Sequence, residues 1–321
     1  MLRSAAVVLT AAVAAVVALA VPASPAAAAI SCRPGGGPAC QAWTGRVSWV
    51  ADGDTLLVDV AGDGTATARP IRLIGVQSME QSVYAKVPAK RRGECHALAA
   101  TARVEQLVRA GGGVVRMTAQ KASSSSRGRP LRSIAVKIGG TWRDIGLDLL
   151  RRGYVMWWPD RTEYAWNGAY RQAAQQAARE GRNLYDTDFC GTGPMQSAKL
   201  DVQVNYDAAG ADDQNVNGEW IRVGNSSGGA VQIGGWWVRD SALRRYTFPA
   251  GTAVPAKGAV YVHVGRGKAT ATHKYWGLPA PAFDNPTTDA LAIGDGGYLF
   301  DPRGDLRAWM IYPCVLACTT G

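Results

Sequence analysis

Three short segments gather opposite charges at turns and at the ends of apolar runs. Asp52-Gly53-Asp54-Thr55 sets two acids in one turn, and Arg72 and Glu80 stand near either end of IRLIGVQSMEQ, residues 71–81. Arg129 follows Gly128 just before a further apolar run. This inventory suits phosphodiester cleavage. A carboxylate such as Glu80 takes a proton from attacking water. Two guanidiniums, Arg72 and Arg129, grip phosphate oxygens and stabilise the charge that builds up in the transition state. Acids without nearby His or Cys favour a hard cation such as calcium. Singly, the segments say less. Asp-Gly-Asp is most often only a turn, a strand arginine usually snorkels, and an isolated glutamate is usually solvated.

Positioning these residues falls to a unit running from Ala42 to Cys190. TGRVSWVA and DTLLVDV read as strands split by the Asp52-Gly53 turn, and RPIRLIGV as a third. A basic loop (KVPAKRRGE) leads into ECHALAATARVEQLVRAGGG, where Leu98, Ala102, Val104, Leu107 and Val108 fall at helical spacing until three glycines stop it. GVVRMTA and RSIAVKI add two strands. RDIGLDLLRRG and TEYAWNGAYRQAAQQAAREG read as terminal helices. Five strands, a helix before the fourth and helices at the end suit a small closed barrel of the OB type within a β-rich α+β chain.

The 321 residues exceed one small domain. Residues 1–29 carry Arg3, an apolar run and a small-residue end, the pattern of a secretory signal peptide. Export agrees with six remaining cysteines, an even count that reads as three disulfides with fifteen pairings open. Cys32–Cys40 and Cys314–Cys318 are close enough to be local clips, which would leave Cys95–Cys190 to close a long loop. The three histidines are scattered and no cysteine pair has finger spacing, so zinc is disfavoured. His96, beside Cys95, reads as structural. Residues 30–195 hold 23 Lys/Arg against 14 Asp/Glu, whereas residues 196–321 hold 11 of each. That asymmetry makes the first unit a candidate polyanion binder, with DNA or RNA as the default partner.

The order DGDT, RLIGVQSME, GRPL, DIGLDLLRRGY and AAREG resembles the staphylococcal nuclease (thermonuclease) family across nearly all of residues 42–186. The resemblance implies an OB-fold nuclease that hydrolyses DNA and RNA with calcium. It assigns metal binding to Asp54 with Asp52 as its acidic neighbour, phosphate clamping to Arg72 and Arg129, and general-base catalysis to Glu80. Two further metal ligands fall on Gln77 and the Ser78 carbonyl. Gln77 stands where the family has a second metal-binding aspartate, and one negative charge fewer weakens the expected calcium affinity. Met79 stands where it has proline. Trp157 and Trp158 fall near the family's nucleotide-contacting tyrosines, with base stacking and core packing both open. Arg91 and Arg92, with Lys86 and Lys90, suit a phosphate backbone or a solvated loop.

From residue 199 to 318 short apolar runs alternate with Gly, Asn, Asp and Pro, indicating an all-β sandwich after a linker at 191–198. Asn217 to Trp220, the Gly-Asn-Ser turn, Gly235-Trp236 and Phe-Pro-x-Gly resemble the lamin-tail domain, which implies an immunoglobulin-like sandwich serving as a binding or tethering module. The expectation is a secreted or surface-associated, monomeric calcium-dependent nuclease with an extracellular or cell-envelope ligand for its second domain. The alternative is a non-catalytic nucleic-acid-binding or attachment protein on a degenerate nuclease scaffold.

Overall fold

The computed structural model describes residues 30–81, 95–316 and 318–319. Residues 1–29 and the basic loop with Arg91 and Arg92 lie outside them. The architecture is β-rich with few helices.

β1 (Ile30–Arg33) and β2 (Gly36–Val50) form an antiparallel hairpin clipped by Cys32–Cys40. β2 pairs with β3 (Thr55–Val60), β3 with β4 (Arg69–Leu73), and β4 runs parallel to β8 (Arg129–Ile138). β8 pairs with β6 (Val114–Ala119), which pairs back with β2, so the ladder returns to its starting strand. Leu56, Val58, Val115, Ile134 and Val136 fill the interior with none of their surface exposed. β5 (Val76–Gln77) pairs with β10 (Met156–Trp157), while β7 (Ser125–Ser126) and β9 (Thr141–Asp144) flank β8.

Helix α1 (Cys95–Ala110) buries Ala97, Ala100, Val104, Leu107 and Val108, a spacing of three and four that makes one apolar stripe. It ends at Gly112 and Gly113, whose positive φ angles favour glycine. Helix α2 (Ile145–Arg151) starts at Asp144, whose carboxylate accepts from the Leu147 N–H at 3.0 Å. Helix α3 (Asn167–Arg179) begins five residues later than its sequence pattern predicts. The buried Glu163 instead accepts the backbone N–H groups of Gln120 and Lys121, and Tyr164–Trp166 forms a separate 3-10 turn.

The second unit stacks two sheets. One has the order β11 (Leu200–Asn205), β12 (Trp220–Asn225), β17 (Ala259–His263), β18 (His273–Tyr275). The other has the order β15 (Arg245–Thr247), β14 (Trp237–Asp240), β19 (Asp295–Phe300), β20 (Leu306–Tyr312). β13 (Val231–Gln232) and β16 (Ala253–Val254) form a small separate pair. Val202, Ile221, Val223, Val238, Val262, Leu299 and Ala308 make the core between the sheets. The apolar run ALAIGDG is not a strand before Asp295, because the chain is irregular there and one strand then continues to Phe300.

Within the second sheet β14, β19 and β20 are buried on both faces, while the edge strand β15 is exposed. Trp237, Tyr298, Phe300, Leu306, Trp309 and Ile311 belong to the same apolar cluster as the interior of the first unit. All six residues of β19 are buried, so alternation along it is lost. Gln175 on α3 donates to the Ile311 and Pro313 carbonyls at 3.0 Å each and accepts from the N–H groups of Val315 and Leu316. The 191–198 segment is strapped rather than loose: Arg307, ion-paired to Asp301 at 3.1 Å, donates to the Pro194 and Met195 carbonyls. The other two disulfides are Cys95–Cys190 and Cys314–Cys318, and no described cysteine is free.

Candidate functional site

The charged segments converge where β3, β4 and β8 lie side by side. Thr55 is registered opposite Arg72, and Arg72 opposite Leu131, two residues beyond Arg129. Gly75 makes the turn that returns the chain to Arg72. Its φ is +72°, and a Cβ there would lie 2.7 Å from the Tyr170 ring. Gly53 permits a second close approach, since a Cβ would meet Ala100 at 2.7 Å and Ser78 at 2.9 Å. These two glycines bring Asp54 and Gln77 face to face.

Asp54 is 3% exposed, and both carboxylate oxygens are committed. Oδ1 meets Arg72 Nη1 at 3.1 Å and accepts from the Thr55 hydroxyl at 3.0 Å. Oδ2 accepts from the Ser78 N–H at 2.8 Å, the Ser78 hydroxyl at 3.0 Å and Gln77 Nε2 at 3.2 Å. Arg72, 2% exposed, also donates to the carbonyls of Asp54, Leu73 and Val76 and to Gln77 Oε1. Arg129, half-buried, reaches the same corner by donating from Nη1 to the Thr55 hydroxyl at 3.0 Å.

The chemistry of Arg72 fixes the Gln77 amide. A guanidinium only donates, so the atom 2.8 Å from Arg72 Nη2 is the amide oxygen. The NH₂ group must then face the other way, where it donates to Asp54 Oδ2 at 3.2 Å and to the Ser78 carbonyl at 3.3 Å. Both oxygens are among those the nuclease resemblance nominates as metal ligands. A donor nitrogen therefore sits between them, and the residues as arranged do not fit a calcium ion.

Electrostatics binds the set together. Burial first, and then the Asp54 carboxylate beside it, push the Asp52 acid up to about 7. Burial lowers the proton affinity of Arg72; Asp54, Asp52 and Glu80 oppose the shift and Arg129 adds to it. All five groups thus share one field. Glu80 is exposed at the rim.

Base stacking and core packing are both open for Trp157 and Trp158 in the sequence, and the structure separates the two residues. Trp157 is fully buried, with Arg171 over its ring at 5.9 Å, so it has no face for a base and belongs to the core. Trp158 is half-buried and lies beneath the Arg72 guanidinium at 5.9 Å. His96 is 1% exposed, packed 3.5 Å from Cys190 Sγ and 3.7 Å from Asp305, a structural place as expected. Sequence reasoning misses Arg239 of β14. It is buried, and its Nη1 lies 3.2 Å from Met79 Sδ, next to Glu80. Nothing local in the sequence marks that contact, which joins residues 160 apart.

Residues 195–313 match the family model of the lamin tail domain. The stacked sheets described above are therefore an immunoglobulin-like lamin tail domain, and Arg239 is its contribution to the neighbourhood of Glu80. The match stops short of residues 30–194, where no nuclease family model is found. No curated protein matches the chain. Outside the lamin tail domain the site thus stands on its geometry alone.

Proposed function

We propose that this is an exported nucleic-acid-binding protein built on a nuclease scaffold, with its former metal corner closed by Gln77. The closed ladder of β2, β3, β4, β8 and β6 supports an OB-type barrel for the first unit, a fold able to carry binding without catalysis. The observation that carries the reading is the Gln77 amide, which bonds two oxygens of the expected cation cage, Asp54 Oδ2 and the Ser78 carbonyl, while the Asp54–Arg72 pair stays buried. The basic balance of residues 30–195 supplies attraction for phosphates. The lamin tail domain serves as an attachment module for an extracellular or cell-envelope ligand, and the protein works as a monomer outside the cell or on its surface.

A second reading, a calcium-dependent nuclease, draws on the exposed Glu80 within the field of Arg72 and Arg129. There Glu80 takes the proton of attacking water and the arginines hold the phosphate. It requires Gln77 to release Asp54.

One experiment separates the two. Labelled single-stranded DNA is mixed with residues 30–321 in chelator or in graded calcium, and both binding and cleavage are followed. Salt-sensitive binding without product at any calcium level supports the binding protein. Calcium-dependent cleavage lost in Glu80→Gln overturns it in favour of the nuclease.

A further inference from the structure

Away from the Asp54 corner, three clefts run together along α2 and share Arg151. The first, of about 470 Å³, is lined by Arg33, Trp142, Arg143 and Arg151. The second adds Arg182, and the third joins Arg151, Arg152 and Arg182 beside Asn183. Arg143, Arg151, Arg152 and Arg182 are all exposed.

The acids in these clefts are spent internally. Asp148 is gripped by Arg103 Nε and Nη2 at 2.7 and 2.8 Å and also meets Arg152 at 3.3 Å. Asp144 is buried and accepts from Ser133, Leu147 and Tyr170. Arg182 pairs with Glu180 and donates to the Arg151 carbonyl at 2.8 Å, which fixes it at the junction. The groove keeps a surplus of guanidiniums with a half-buried aromatic residue, Trp142, at one end, the Arg116 guanidinium lying 4.5 Å over its ring. Guanidiniums suit phosphate oxygens, and an indole suits an unpaired base.

We infer that this arginine-lined groove along α2 is a binding track for the phosphate backbone of single-stranded nucleic acid. The inference rests on the nucleic-acid reading above and deepens it by locating the contact away from the Asp54–Arg72 corner. A membrane headgroup presents the same charge but gives Trp142 no base to stack on.

The test is anisotropy of a labelled single-stranded DNA oligonucleotide against log salt. It uses the unaltered chain, the double variant Arg143→Gln/Arg151→Gln, and an equal-charge control, Arg266→Gln/Lys268→Gln, on the exposed 266–271 stretch of the lamin tail domain. Each phosphate contact contributes about 0.7 to the salt slope on single strands, so the groove variant should lose about 1.4 in slope and the control should change little. Circular dichroism checks that both variants fold. Equal losses in the two variants, or none in the groove variant, overturn the groove while leaving the nucleic-acid reading intact. Absence of binding by the unaltered chain overturns both. Tighter binding to phosphatidylserine vesicles than to DNA, with the same arginine dependence, assigns the groove to membranes and overturns the inference.

Discussion

Gln77→Glu changes one NH₂ group to an oxygen and leaves the side-chain length alone. In the unaltered protein that NH₂ donates to Asp54 Oδ2 and to the Ser78 carbonyl at 3.2 and 3.3 Å. The variant would face two carboxylates together at about 4 Å, a repulsion of about 4 kcal/mol at an effective dielectric of about 20. Arg72, 2.8 Å from the amide oxygen, offsets most of this, while the lost hydrogen bond costs about 1 kcal/mol. In chelator the variant should therefore be destabilised by roughly 1–3 kcal/mol. Calcium should reverse the loss, since a cation held at 100 times its dissociation constant stabilises by about 2.7 kcal/mol. Thermal unfolding in chelator and in graded calcium reads both effects. The unaltered protein should show no calcium-dependent shift, and the variant should show a clear one. A calcium shift in the unaltered protein as large as in the variant would refute the argument that the amide closes the cage.

Three other outcomes are expected. Burial first, and then Asp240, raise the Asp295 carboxyl from 3.8 to about 8, so the folded state holds a proton that the unfolded chain has released. The Asp295 contribution to stability is then full below about 3.8, is lost as pH rises, and is gone above about 8; Asp295→Asn should remove that slope in denaturant titrations across the range. Cys95–Cys190 spans 95 residues, so replacing both cysteines with alanine should cost about 4–5 kcal/mol in chain-entropy terms, measured by urea unfolding. Residues 30–190 expressed alone should bind hydrophobic dye and lack cooperative melting, because Phe300, Trp309 and Ile311 are removed from their core at roughly 1.5–3 kcal/mol per large side chain.

Most strand positions are legible in the sequence because the apolar runs are separated by strong turn residues. The convergence of Asp54, Arg72 and Arg129 was foreseen only through the family resemblance; register is a property of three strands together. The orientation of the Gln77 amide is hidden in the sequence for a plainer reason. An amide offers both a donor and an acceptor, and only the position of Arg72 decides which end meets Asp54. Trp157 remained ambiguous between core and platform because aromatic residues serve both. The strand His273–Tyr275 was invisible, since three polar or half-polar residues carry no apolar period. The contact between Arg239 and Met79 depends on how two units dock, a relation no local pattern encodes.

The strands buried on both faces change what happens when the chain is cut. A protease nicking 191–198 would sever the backbone but release neither fragment, because Trp309, Ile311 and Gln175 hold the pieces together without it. Such a break would show on a denaturing gel and pass unnoticed by gel filtration. Were the protein exported as proposed, cleavage in the segment between its units would leave both pieces in place.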